Sequence, residues 1–75
     1  MPKLPILKPE ELIKILLKLN FIEIRQKGSH KQFKHIDGRQ TTVPFHKSRD
    51  ISPILLDKII KDIGISKDEF LKLIK

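Results

Sequence analysis

The sequence predicts an α+β domain in the order α-β-β-β-α, with a three-stranded antiparallel sheet, helices on one face and a short C-terminal helix. Three observations predict it. Apolar residues recur at helical spacing at both ends of the chain, alternation takes over between them, and the pairs Gly28-Ser29 and Asp37-Gly38 divide the alternating region by gaps of turn length. At 75 residues the chain holds a single domain, 1–75, of a size that buries only about 60% of its unfolded surface. With no cysteine, packing alone must hold it.

The first helix lies in KPEELIKILLKLNF. Pro9 suits a first turn, Glu10 and Glu11 sit at its positive dipole end, and Leu12, Ile15, Leu16 and Leu19 form one apolar face. Asn20 can close the helix in a left-handed conformation, and FIEIRQK then alternates, with Ile22 and Ile24 expected inside and Glu23 and Arg25 outside. Gly28-Ser29 reverses the chain into HKQFKHI, and Asp37-Gly38 reverses it again into QTTVPF, where Pro44 ends the third strand because it has no amide hydrogen to donate. Ser52 is an N-cap with Pro53 at the first helical position, and Leu56, Ile59, Ile60 and Ile63 make the second apolar stripe, stopped by Gly64. Ser66 and Glu69 form a capping box ahead of Phe70, Leu71 and Ile74, which gives the final short helix.

Charge points to a polyanion. The chain carries a formal +7, and residues 21–50 hold seven cations against three anions together with all three histidines, His30, His35 and His46. A basic region of this density favours nucleic acid through counterion release. No strongly amphipathic basic helix accompanies it, so a membrane partner is not expected. The stretch MPKLPILKPEE lacks the apolar core of about 7–15 residues that a secretory signal needs, and a cytoplasmic protein is expected.

Strand parity assigns the histidines. If Phe33 points inward, Lys31 and His35 share its side, while His30, Gln32 and Lys34 fall on the open face; burying Val43 turns Thr42 outward. An exposed imidazole ringed by amides, hydroxyls and cations suits work on a phosphodiester, since histidine can move a proton near neutral pH and cations stabilise developing phosphate charge. A purely phosphate-contacting His30 is the plainer alternative. Parity separates His30 from His35, and no carboxylate stands at ligand spacing, so neither a metal nor another cofactor is expected. Phe21, Phe33 and Phe70 fit core positions, leaving Phe45 as the one exposed aromatic candidate for stacking a base.

Taken in order, Asn20-Phe21, Lys27-Gly28-Ser29-His30, Asp37-Gly38-Arg39, Thr42-Val43-Pro44, His46, Ile59, Gly64 to Ser66 and Phe70 resemble the HicA toxin family of HicA/HicB toxin-antitoxin modules, over roughly Lys8 to Phe70. The start of the second helix departs from the family pattern, with Ser52-Pro53-Ile54 where Gly-Thr-Leu is common. The resemblance implies a double-stranded RNA-binding-domain-like fold, ribosome-independent cleavage of mRNA and neutralisation by a HicB-type antitoxin. It also implies that His30, in the Gly-Ser-His motif, is the catalytic histidine. Joined to the charge pattern, it gives a metal-independent endoribonuclease in which the ribose 2′-hydroxyl attacks the adjacent phosphate and His30 is general acid or base. Arg25, Lys27, Ser29, Lys31, Lys34, Arg39 and Lys47 are the candidate RNA-binding residues. The alternatives are a non-catalytic RNA-binding module of the same fold and a domain whose basic face meets an acidic protein.

Overall fold

The computed structural model describes residues 4–45 and 49–74. Its elements are α1 (Pro9–Lys18), β1 (Ile22–Lys27), β2 (His30–Lys34), β3 (Gln40–Pro44), α2 (Pro53–Ile63) and α3 (Lys67–Leu73). The strands pair antiparallel in the order β1-β2-β3. This is the expected α+β arrangement with its C-terminal helix.

The local signals act as their chemistry requires. In α1 the Glu11 carboxylate accepts a hydrogen bond from the Lys8 backbone N–H at 3.1 Å, and Asn20 leaves the helix with φ 69°. Ser52 caps α2 by accepting from the Leu55 N–H at 3.2 Å, and Gly64 ends it at φ 73°. In α3 the Ser66 hydroxyl accepts from the Glu69 N–H at 3.1 Å while the Glu69 carboxylate accepts from the Ser66 N–H at 3.2 Å.

One core joins the layers. Leu12, Ile15 and Leu16 of α1, Leu56, Ile59, Ile60 and Ile63 of α2 and Phe70 of α3 close over Phe33 and Val43 of the sheet, with Phe21 beside them. The Ile51 N–H donates to the Leu7 carbonyl at 2.7 Å, which ties the chain before α1 to the chain before α2. Asp57 of α2 is flanked by Lys61 at 3.2 Å and by Lys67 at 3.3 Å, the latter bridging to α3. Those two ammonium groups hold its carboxyl below the usual aspartate range.

Strand β1 departs from expectation. Ile22 and Ile24 are 61% and 47% exposed rather than buried. A β-bulge between Glu23 and Arg25 changes the face on which Ile22 lies, and the helix layer lies chiefly over the far edge of the sheet. Counting back from the turn, Lys27 faces His30, Gln26 faces Lys31 and Arg25 faces Gln32, as simple alternation requires. The extra residue then reverses the parity, so Glu23 lies opposite Phe33 and Ile22 opposite Lys34. The helices pack chiefly against β3, at the far edge of the sheet, and every residue of β1 is exposed. Among the described residues the helix layer lies chiefly over β3, so burial selects only weakly which face of β1 carries the isoleucines.

Candidate active site on the open sheet face

The Lys27–His30 pair closes a two-residue hairpin. Gly28 has φ 60° and Ser29 is not left-handed, the II′ pattern in which only the first turn residue takes a positive φ. Glycine meets that demand without Cβ strain. Residues paired across an antiparallel ladder project to the same face, about 5 Å apart at Cα, so the turn sets Lys27 beside His30 at the mouth of the hairpin. His30 is exposed, and it lies on the face opposite to buried Phe33, as the parity of β2 requires.

Register fills in the surroundings. Across β3, His30 faces Pro44; the next row toward the sheet interior is Arg25, Gln32 and Thr42, and the row beyond it is Ile22, Lys34 and Gln40. The Phe45 N–H donates to the Ser29 carbonyl, which extends the β2-β3 ladder past Pro44 and holds the turn against the chain end of β3. Ser29 is half-buried next to exposed His30. The face therefore presents one imidazole, three cations (Arg25, Lys27 and Lys34), two amides and a hydroxyl.

The structure does not bring every expected residue there. Lys31 lies on the helix side of the sheet, 3.5 Å from the Glu23 carboxylate and 4.4 Å from the centre of the Phe45 ring. Phe45 is half-buried beneath that ammonium. Arg39 is engaged on three sides. Its Nε donates to the Asp37 carboxylate at 2.8 Å, its Nη1 donates to the Ile63 carbonyl at the end of α2, and its guanidinium lies 5.3 Å from the Phe21 ring centre. The Arg39 backbone N–H also donates to Asp37, and this bond, ahead of the guanidinium, lowers the Asp37 pKa. Arg39 thus ties the β2-β3 hairpin to α2, a role without a local sequence signal because its partner carbonyl lies 24 residues away. His35 is half-buried on the inward side, edge-on to Phe21 with ring centres 5.2 Å apart. His46 and Lys47 lie outside the described residues.

At the Ile22 end of the sheet the surface turns apolar. Ile22, Ile24 and the 98% exposed Ile36 line an open groove of about 380 Å³ with Asn20, Lys34 and His35. Among the described residues no three His, Cys, Asp or Glu side chains stand together as a metal would need, and no helix is long and apolar enough to cross a membrane.

A protein-family model described as "HicA toxin of bacterial toxin-antitoxin" matches residues 9–65 of the chain. That span runs from the start of α1 to just past α2 and contains the hairpin that carries His30. Comparison with individual curated proteins gives no match.

Proposed function

The chain belongs to the HicA toxin family of bacterial toxin-antitoxin pairs, and we propose that it acts as an endoribonuclease whose open sheet face binds mRNA and whose His30 moves a proton during strand cleavage. The observation that carries this reading is the placement of an exposed imidazole directly across the hairpin from Lys27, on a face otherwise lined with cations and hydrogen-bonding groups.

The chemistry follows from those groups. The ribose 2′-hydroxyl attacks the adjacent phosphorus, the P–O5′ bond breaks, and the products are a 2′,3′-cyclic phosphate and a free 5′-hydroxyl. His30 either accepts the proton from the 2′-hydroxyl or donates one to the departing 5′-oxygen. Lys27 stabilises the charge that develops on the phosphate oxygens, and the Ser29 carbonyl, which accepts from the Phe45 N–H, helps hold the turn from which His30 projects. Dependence on the 2′-hydroxyl selects RNA over DNA at the chemical step. No step in this scheme calls for a metal, so cleavage in the presence of a chelator is expected. The family resemblance implies that cleavage needs no ribosome.

Binding is expected to weaken steeply with salt. Arg25, Lys27 and Lys34 give three phosphate contacts on the open face, which corresponds to a log-log slope of about −2 on single strands. Fluorescence anisotropy with a labelled single-stranded RNA between low and physiological ionic strength measures it. A flat isotherm contradicts the basic-face reading and favours a domain built for protein contacts.

Family membership also implies an antitoxin partner. A HicB-type protein with acidic residues over Arg25 and Lys27 and an apolar edge against Ile22, Ile24 and Ile36 would match the surface and cover His30 at once. RNA and antitoxin should then displace each other in a competition titration. Simultaneous binding without loss of affinity contradicts this arrangement.

A further inference from the structure

We propose that Gln32 and Thr42 read the base of the nucleotide next to the cleaved phosphate, so that the row they form with Arg25 is a base-recognition subsite. The inference rests on the open face being the RNA-cleaving surface. Register supplies the placement. Arg25, Gln32 and Thr42 are successive cross-strand partners, and the row lies two residues along each strand from Lys27, His30 and Pro44. Two residues return a side chain to the same face and advance it by about 6.6–6.8 Å. A nucleotide whose phosphate meets His30 therefore has its base, or that of its neighbour, within reach of this row.

The two faces of the sheet also differ in how their polar groups are used. On the helix side, the Thr41 hydroxyl donates to the Asp62 carboxylate at 3.2 Å and Lys31 pairs with Glu23 at 3.5 Å. On the open side, no hydrogen bond or ion pair among the described residues engages the side chains of Arg25, Gln32 or Thr42. Gln32 is half-buried on the central strand, between Arg25 and Thr42. A carboxamide offers two donors and two acceptor lone pairs, and a hydroxyl adds one donor and two acceptor lone pairs. Such a pair can meet the edge of an unstacked base, with the Arg25 plane available to stack on its ring or contact the flanking phosphate.

The test compares wild type, Gln32→Ala, Thr42→Val, the double variant and Thr42→Ser, which keeps the hydroxyl. Each is given RNAs randomised at the nucleotides on both sides of one cleavable bond, and the product ends are sequenced. Binding is measured in parallel to the same RNAs with a 2′-deoxy nucleotide at the cleaved position, which removes the nucleophile. Wild type is expected to rank the four bases at one of those positions over about three- to tenfold, the range of one neutral hydrogen bond. The double variant should flatten that ranking in both assays, while Thr42→Ser retains it. An identical ranking in wild type and the double variant, or no ranking in wild type, overturns the proposal. If RNA is not cleaved but the deoxy RNAs are ranked and the ranking collapses in the double variant, base reading stands and the endoribonuclease reading fails. Cleavage without a ranking has the opposite meaning.

Discussion

His30→Ala is expected to lower single-turnover RNA cleavage by about 10²–10⁴ while leaving the domain folded. The rate loss is that of a missing general acid or base. The intact fold follows from position: the side chain is exposed at the first residue of β2, outside the core cluster, and surface replacements of this kind stay within about 0.5 kcal/mol. Binding should change far less, because Arg25, Lys27 and Lys34 retain their charges. Assays at saturating protein separate the two effects. His35→Ala and His46→Ala are the comparisons, and neither should match the loss at His30. Lys27→Ala should lie between, since it removes a charge beside the phosphate and leaves the proton-transfer group in place. Cleavage by His30→Ala at a near wild-type rate would reduce His30 to a phosphate contact.

Phe33→Ala is expected to unfold most of the protein. Phe33 is 1% exposed at the centre of the core, on the middle strand and between Glu23 of β1 and Thr41 of β3. Removing a buried phenylalanine ring costs about 3–5 kcal/mol. A domain below about 70–80 residues without disulfides draws no more than about 3–5 kcal/mol from its core, so the substitution consumes essentially all of it. Phe33→Leu fills much of the same volume and should cost roughly 1 kcal/mol. Urea unfolding followed by circular dichroism distinguishes them. A Phe33→Ala protein with a midpoint near that of wild type would show that the core is not organised around this strand.

Most of the architecture was legible because its signals are local. Ser52, Gly64 and the Ser66-Glu69 box each act within one turn of helix, and the Gly28-Ser29 turn fixes the pairing of Lys27 with His30 without help from distant residues. The same turn made His30 readable as an open-face residue, since parity counted from Phe33 needs only three positions. What failed was parity carried too far. Ile22 and Ile24 alternate with charged residues as a half-buried strand does, yet a bulge at Ile24 inverts the count and the helices pack chiefly against β3. A bulge inserts one residue without a composition of its own, and the reach of a helix layer over a sheet is a tertiary property. Nothing local distinguishes the charges of Lys31 and Arg39 from those of Arg25 and Lys34, yet Glu23 pairs with the first and Asp37 with the Ile63 carbonyl engages the second. Net charge places a partner class; it does not say which cations are already engaged.

The proposed cleavage by the 2′-hydroxyl is tested most directly by incubating the purified protein, in chelator and without ribosomes, with two labelled RNAs that differ only by a 2′-deoxy nucleotide at the cleavage position. The expected result is cleavage of the all-ribose strand to a 2′,3′-cyclic phosphate end and no cleavage at the deoxy position. Failure to cut the all-ribose strand, or equal cutting of both, would contradict it.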